Sequence, residues 1–227
     1  DQGEPGGNVF LLLKGWAFRQ RALADGRRQI LDFSLPGAVL GLSGEATMGH
    51  GVEALSDCTV AVIARPRWSE LLRRAPSLAV ALVDMLAHAE TLAFEHLTSV
   101  GRRTARERIA NLFAELLTRG RKAGLFGGGA RMVLPLTLNH IGDALGLTSV
   151  HVCRTLGSMR RDGVVSLRSR TLAVLDYERL VEEAGLDEEV APSWDESTTP
   201  GRSGIIVRRV GPGRPAPRPL GLASPAH

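Results

Sequence analysis

Residues 136–176 constrain the fold of this chain more than any other segment. Apolar residues recur at helical spacing on both sides of Gly146, and a threonine stands before each predicted helix, Thr137 before the first and Thr148 before the second. Glycine suits the turn between them because it adopts left-handed backbone conformations without steric cost. The inward-facing positions are predicted to be Ile141, Leu145, Leu147, Val152 and Leu156.

The two helices, predicted over Leu138–Leu145 and 149–162, have the spacing of a helix-turn-helix. Gly142 lies where the helices would cross, and a larger side chain there would clash. Gly163 would end the second helix, and residues 164–175 have the pattern of a β-hairpin with a polar turn. The segment is therefore predicted to form a winged helix-turn-helix, which places its second helix in the major groove of DNA.

The residue types at the exposed positions fit this interpretation better than a plain αα-hairpin. Arg154, one turn into the second helix, can donate two hydrogen bonds to the O6 and N7 atoms of guanine. Helix N-termini with threonine caps can hold phosphates, and arginines at the hairpin tip can reach the adjacent DNA backbone. The predicted DNA-binding residues are Thr137, Thr148, Ser149, Val150, His151, Arg154, Arg168 and Arg170.

Short apolar runs separated by glycine and proline predict an all-β first part of the chain. Asp25-Gly26 is a hairpin turn signal, and Pro36-Gly37 marks the next corner. Because the sequence starts with Asp1 and enters strand sequence almost at once, we expect an upstream segment to be missing and the β-structure to be truncated at its start. The predicted strands cover residues 9–13, 15–22, 27–33 and 59–64.

Two helices are predicted between the β-part and the helix-turn-helix, over residues 77–100 and 104–119. The first has two adjacent apolar stripes, which favours packing against its own β-part on one side and against a second copy on the other. A single broad stripe facing the core of a monomer is the alternative. The second helix is amphipathic, and its flanking arginines are expected to be solvated. The predicted dimerisation residues are Leu82, Met85, Ala89, Leu92 and His96.

Composition narrows the remaining possibilities. A formal net charge of +4 permits nucleic-acid binding without demonstrating it. The sequence shows no signal sequence and no run near the roughly 20 apolar residues of a membrane-spanning helix, so we expect a cytoplasmic protein with no membrane partner. Residues 187–227 are rich in proline, glycine, serine and arginine, which predicts a disordered tail. The predicted domains are 1–75, 76–120 and 121–186, followed by this tail.

Several of these segments resemble the Crp/Fnr family of bacterial transcription regulators. The motifs IGDALGLT at 141–148 and VCRTL at 152–156 resemble the family's helix-turn-helix. LPGAVLG at 35–41 is similar to its β-roll corner, CTVAVI at 58–63 to its last roll strand, and 77–101 to its dimerisation helix. The helix-turn-helix match is specific, whereas the β-roll match is looser.

The resemblance covers about residues 9 to 186 and implies an α+β fold. Its parts would be an N-terminal β-roll of the cyclic-nucleotide-binding type, a long dimerisation helix and a C-terminal winged helix-turn-helix. It further implies a homodimer that senses a signal through the roll and binds a near-palindromic site on double-stranded DNA. RNA polymerase is expected as a further partner.

The roll departs from relatives that bind cyclic nucleotides. Gly44-Glu45 could imitate the ribose contact of such proteins, but no lysine or arginine lies between Arg28 and Arg65. A cyclic phosphate would lack its guanidinium partner there, so we expect no cyclic-nucleotide binding. The two cysteines cannot supply the ligand set of an iron–sulfur cluster, and the histidines show no haem-ligand pattern. No cofactor, metal or effector is predicted.

Two other classes of protein compete with a DNA-binding regulator. The sequence has no nucleophile elbow, zinc-protease motif, phosphate loop or dinucleotide fingerprint, so we predict that it is not an enzyme. The alternative is a ligand-binding regulatory module that acts through protein contacts without binding DNA. Arg154 argues against that alternative, since an unpaired arginine in the middle of the second helix has little structural use.

Overall fold

The first part of the chain consists of short antiparallel strands, as predicted. The computed structural model describes residues 1–126, 131–186 and 206–213. The predicted strands are confirmed to within two residues at their ends, and two shorter strands that the pattern did not indicate join them. The strands are β1 (Asn8–Lys14), β2 (Ala17–Ala22), β3 (Arg28–Ser34), β4 (Val39–Leu40), β5 (Gly51–Ala54) and β6 (Cys58–Ala64).

These strands form two sheets, one with the order β6-β1-β4 and one with the order β3-β2-β5. Every pairing is antiparallel, and β2 pairs with β3 through the hairpin that Asp25-Gly26 predicted. Apolar side chains from strands of both sheets share one cluster, because alternate residues of a strand face the same side. Its buried members are Phe10, Leu12, Ala17, Leu40, Ala54, Cys58, Val60 and Val62.

A strand in the predicted tail corrects the expectation of disorder there. Ile206–Val210 forms the last strand in chain order, β10, whose backbone pairs antiparallel with β6. Ile206 lies opposite Val62, and Val210 lies opposite Cys58. The outer edge of β6 would otherwise present unpaired backbone N–H and C=O groups, which an extended segment can satisfy. Residues 187–205 and 214–227 of the tail lie outside the described part of the chain.

Helices and a second set of strands follow the roll. Both predicted connecting helices and both helices of the predicted helix-turn-helix are confirmed, whereas β7 and α6 had not been predicted. The elements are α1 (Arg65–Arg74), α2 (Pro76–Arg102), α3 (Ala105–Lys122), β7 (Arg131–Val133), α4 (Leu138–Leu145), α5 (Ser149–Arg161), β8 (Val165–Arg168), β9 (Thr171–Val174) and α6 (Tyr177–Ala184).

Helix α3 lies at the centre of the largest apolar core. It starts at a capping box formed by Thr104 and Glu107. The face predicted from the sequence is buried, with Ile109 and Leu116 fully covered. Side chains from the roll, from α3, from the helix-turn-helix and from α6 belong to one continuous cluster. The roll and the DNA-binding part are therefore packed on the same helix.

The arginines that flank α3 correct the prediction that they form a solvated face. Arg106 binds Glu183 of α6 with two hydrogen bonds of 2.8 and 2.9 Å and also contacts Asp162 at the end of α5. Arg108 donates to the carbonyl oxygen of Leu145 at 3.0 Å. These guanidiniums attach the helix-turn-helix to α3.

Helix α2 is apolar over much of its length and exposed. It is long and apolar enough to cross a membrane, with a mean hydropathy of 1.4 over an 18-residue window, and none of that window is buried within the chain. The sequence expectation that no such run exists is thereby corrected. Length and composition alone do not distinguish a membrane span from a helix that packs against another protein.

Candidate nucleic-acid interface

The two helices of the helix-turn-helix begin at the predicted threonines. The Thr137 hydroxyl accepts a hydrogen bond from the His140 N–H at 3.1 Å, and the His140 Nδ1 accepts one from the Thr137 N–H at 3.3 Å. At the second helix, Thr148 accepts from the His151 N–H at 3.2 Å. Gly146 between the helices has a φ of +66°, the left-handed conformation predicted for it.

Gly142 allows the close approach of α4 to the chain that leads into α5. A Cβ atom at this position would lie 2.4 Å from the backbone oxygen of Leu147. Because that oxygen belongs to the backbone, a side chain could be accommodated only by moving the turn. The predicted reason for glycine at this position is confirmed.

We predict that Gly142→Ala lowers the free energy of unfolding by about 1–3 kcal/mol, the usual cost of overpacking a close contact. Gly157 in α5 provides a matched control, since a Cβ there would make only an ordinary contact of 3.7 Å with Arg161. Gly157→Ala should therefore stabilise the protein by about 0.5–1 kcal/mol through helix propensity. Urea denaturation of both variants measures the two changes in the free energy of unfolding. Changes of the same sign in both variants would contradict this account.

Helix α5 presents a face that no other part of the described chain covers. Val150 is 65% exposed, and His151 and Arg154 are exposed beside it, one turn apart on the helix. Within the described residues, Arg154 makes no hydrogen bond and no ion pair. Ser149 is half-buried, and Val152 points inward and is fully buried. The methyl groups of Val150 and the guanidinium of Arg154 are therefore both exposed near the start of α5, the helix predicted to enter the major groove.

The predicted wing is a three-stranded sheet with the order β7-β9-β8. Its tip is a tight turn in which Arg168 lies opposite Thr171 and both intervening residues, Ser169 and Arg170, have positive φ angles of 47° and 59°. Such angles at both central positions give a turn that matches the twist of the strands. Arg168 and Arg170 are exposed at this tip. Strand β7 was missed because three residues are too few for a periodic pattern.

Two predicted phosphate-binding residues are brought together by the fold. Thr137 at the start of α4 and Arg170 at the wing tip line one cleft of about 410 Å³, together with His140. Burial lowers the pKa of His140, and the positive charge of Arg28 lowers it further. The neutral ring that results is the form whose Nδ1 can accept the hydrogen bond of the capping box.

The predicted dimerisation stripe lies partly on the chain's own body. Leu82 packs against the roll cluster of Val9, Ile63 and Trp68. His96 contacts Glu115 through Nε2 at 2.6 Å and the Leu31 carbonyl oxygen through Nδ1 at 3.3 Å. Both partners are acceptors, so this geometry requires the protonated ring. Burial opposes that charge, but Glu115 outweighs it and raises the pKa of His96.

Leu82 and His96 thus make contacts within the chain, and their assignment to a dimer interface stays a prediction. Met85, Ala89 and Leu92 of the same stripe are half-buried. The second stripe of α2 is more exposed, and sequence reasoning had noted it without assigning the interface to it. Its exposed apolar side chains, together with two neighbours, are Val80, Val83, Leu86, Ala93, Phe94 and Leu97.

The two arginines that border the basic-free span of the roll, Arg28 and Arg65, are held by other groups of the chain. Arg65 donates to the carbonyl oxygens of Gly6 and Gly41 at 3.0 and 3.1 Å, and Arg28 binds Asp143 at 2.7 Å. Glu45, the candidate ribose ligand, is exposed. The two arginines that border the span without basic residues are therefore engaged elsewhere, and the residues present do not fit a cyclic phosphate.

Comparisons with known proteins agree with this architecture. A family model described as the cyclic nucleotide-binding domain matches residues 1–75, and one described as the Crp-like helix-turn-helix domain matches residues 107–183. The transcriptional activator protein FnrL of Cereibacter sphaeroides is 34% identical over 184 residues, which cover 80% of this chain and 74% of that protein. The nitrogen fixation regulation protein FixK of Rhizobium meliloti is 33% identical over 180 residues, with 79% of each chain covered.

A solved structure shows the same fold. The structure of FixK2 from Bradyrhizobium japonicum superimposes with a TM-score of 0.71 at 30% identity, covering 80% of this chain and 89% of that one. The two family models match the chain in the order of the roll and the helix-turn-helix. FnrL and FixK are similar to the chain over most of its length. The chain belongs to the Crp/Fnr family of DNA-binding transcriptional regulators.

Proposed function

We propose that this regulator is a homodimer that reads a near-palindromic DNA site with α5 and holds the flanking backbone with the helix N-termini and the wing. Regulators of the family bind DNA through this motif and function as dimers. The observation that carries the proposal is the exposed guanidinium of Arg154 on α5, one turn beyond the exposed Val150, for which the described residues provide no partner. Thr137, Thr148 and the wing arginines are assigned to phosphates.

The proposal uses the predicted division of the chain into a sensor part (1–75), a helical part (76–120) and a DNA-binding part (121–186). The sensor takes an effector other than a cyclic nucleotide, and the protein has no catalytic role. It acts in the bacterial cytoplasm, where it contacts RNA polymerase as transcription regulators do. The exposed stripe of α2 is the surface through which the two copies associate.

Arg154 and Val150 are expected to read different features of a base pair. Arg154 can donate to the two acceptors of a guanine edge, whereas Val150 offers only methyl groups, which can contact a thymine methyl. A glutamate at this position would instead accept a hydrogen bond from the amine of cytosine, as the resemblance to the family implies for other members. The half-site of this protein should therefore differ from theirs at that base pair.

We predict that Arg154→Ala weakens binding to the preferred site by about 1–3 kcal/mol and removes the preference for guanine at one position. Arg168→Ala in the wing should weaken binding to all sequences alike, because it removes a phosphate contact, and should lower the salt dependence. The measurement is a matrix of single-base site variants against both mutants.

Arg73→Ala is the control for this experiment, since Arg73 is an exposed arginine on α1, far along the chain from the helix-turn-helix. It should leave both affinity and specificity unchanged. If Arg154→Ala reduces affinity equally for every site variant, Arg154 is a phosphate clamp and its assignment as the reading residue is wrong. If the wild-type protein shows no sequence preference, the proposed function itself fails.

A further inference from the structure

The roll and the helix-turn-helix are joined by contacts between β3 and α4. Arg28 Nε donates to Asp143 Oδ2 at 2.7 Å, and the next residue, Gln29, donates from Nε2 to the carbonyl oxygen of Ala144 at 2.9 Å. The partners in each pair are 115 residues apart in the chain. A charge-assisted hydrogen bond and a second, neutral one therefore fix α4 to a sensor strand at two adjacent points.

The Arg28 side chain is held in place on the roll before it reaches α4. Its guanidinium lies 5.2 Å from the ring centroid of Phe18, and its Nη1 is 3.3 Å from Gln20 Oε1 and 3.7 Å from a carboxylate oxygen of Glu53. Phe18 in turn lies 5.5 Å from the ring of His140 on α4. Because these contacts already restrain the Arg28 side chain, it loses little further conformational freedom when it binds Asp143. The direction of the Arg28–Asp143 contact is therefore fixed by the roll.

The contact between Arg28 and Asp143 holds α4 and leaves α5, the proposed reading helix, exposed. Asp143 and Ala144 lie near the end of α4, whose last residue is held from another direction by Arg108 of α3. Val150 and Arg154 on α5 remain exposed. The roll therefore does not cover the face that enters the groove. It fixes the direction in which that face points relative to the roll and α2.

We propose that Arg28 is a positioning residue that sets the distance between the two reading helices of the dimer, and thereby the half-site spacing that the protein accepts. The inference rests on the proposed function. Dimeric helix-turn-helix proteins bind half-sites about 34–36 Å apart, one turn of DNA, so small changes in orientation alter the preferred spacing. Loss of the contact should let each helix-turn-helix pivot, which broadens the accepted spacing without altering the groove contacts of either half.

The test uses the full chain and a palindromic duplex that the wild-type protein selects from random sequences. Binding is measured to this duplex, to versions lengthened or shortened by about one base pair between the half-sites, and to a single half-site. The variants are Arg28→Gln, Asp143→Asn and the conservative Arg28→Lys, which keeps a positive charge beside Asp143 and Glu53. Arg27→Gln is the matched control, because the neighbouring Arg27 is exposed and its ion pair within the described part of the chain is with Asp25 of its own turn.

Arg28→Gln and Asp143→Asn are each expected to reduce the preference for the selected spacing by about tenfold, while affinity for the single half-site stays unchanged. Arg28→Lys should retain most of the preference, because its ammonium group can still pair with Asp143, and Arg27→Gln should leave the preference intact. A spacing profile of Arg28→Gln that equals the wild type, a parallel loss of half-site affinity, or a loss of preference in Arg28→Lys as large as that in Arg28→Gln would overturn the inference. Absence of sequence-specific binding by the wild-type protein would instead overturn the proposed function on which it depends.

Discussion

Replacement of Arg119 by methionine is expected to lower the free energy of unfolding by about 1.5–3 kcal/mol, because it removes charged hydrogen bonds to two largely buried carboxylates. Asp32 keeps its ion pair with Arg19, and Glu115 keeps its contact with His96. The guanidinium of Arg119 contacts Asp32 at 2.9 Å and Glu115 at 2.6 Å, and donates to the Phe33 carbonyl oxygen at 2.7 Å. Methionine keeps most of the side-chain length, so the loss measures the charge rather than a cavity. Urea denaturation at neutral pH gives the free energy of unfolding.

Arg121→Met is the control on the same helix, because Arg121 is exposed and, among the described residues, its guanidinium lies over the rings of Phe126 and Tyr177. Exposed cation–π contacts contribute about 0.5–1 kcal/mol, so this variant should lose no more than that. A loss below about 1 kcal/mol for Arg119→Met would contradict the account, since hydrogen bonds to charged groups contribute more than that.

The cluster of Arg119, Asp32 and Glu115 also predicts how the difference in free energy of unfolding between the wild type and Arg119→Met depends on pH. Burial alone would raise the pKa of Asp32, but Arg119 and Arg19 outweigh it and hold the pKa below its usual range. In the wild type, this contribution to stability is present above the unfolded pKa and is lost as pH falls through the folded pKa. In the variant, less positive charge opposes the effect of burial, so the pKa values of Asp32 and Glu115 lie higher in the folded state than in the wild type and their protonation costs less stability. The difference should narrow as the solution is acidified.

Leu97→Asp is expected to dissociate the dimer and to reduce affinity for the palindromic site by about a thousandfold or more. Leu97 and Phe94 are 71% and 61% exposed, and an apolar stripe of this kind on a regulator indicates a protein interface. In a twofold dimer each substitution occurs twice, so two unpaired charges would be buried. Light scattering gives the mass, and a gel shift gives the affinity.

Leu23→Asp serves as the control for this substitution, since Leu23 is 48% exposed at the hairpin between β2 and β3. Its mass and affinity should equal those of the wild type. Leu92→Asp, from the half-buried stripe first assigned to the interface, tests the two assignments against each other. A Leu97→Asp protein that keeps the wild-type mass, beside a Leu92→Asp protein that does not, would return the interface to the first stripe.

Local signals in the sequence determined the helix-turn-helix almost completely. The threonine caps, the left-handed glycine and the close crossing at Gly142 each depend on residues within a few positions of one another, and all were predicted correctly. The buried face of α3 also followed from its period, because an amphipathic helix must cover its apolar side. These features depend on backbone geometry and on hydrogen bonds between residues close in the chain, so a short stretch of sequence is enough to predict them.

Only the tertiary structure decided which partner each surface meets. Periodicity showed two apolar stripes on α2, but not that Leu82 and His96 belong to the chain's own packing. The partners of Arg28 and Arg106 lie 115 and 77 residues away, and no local pattern encodes such pairs. Strand β10 likewise depends on an open edge of β6 that exists only once the sheet has formed. A sequence specifies what each face can bind, whereas long-range packing determines which of the available groups it reaches.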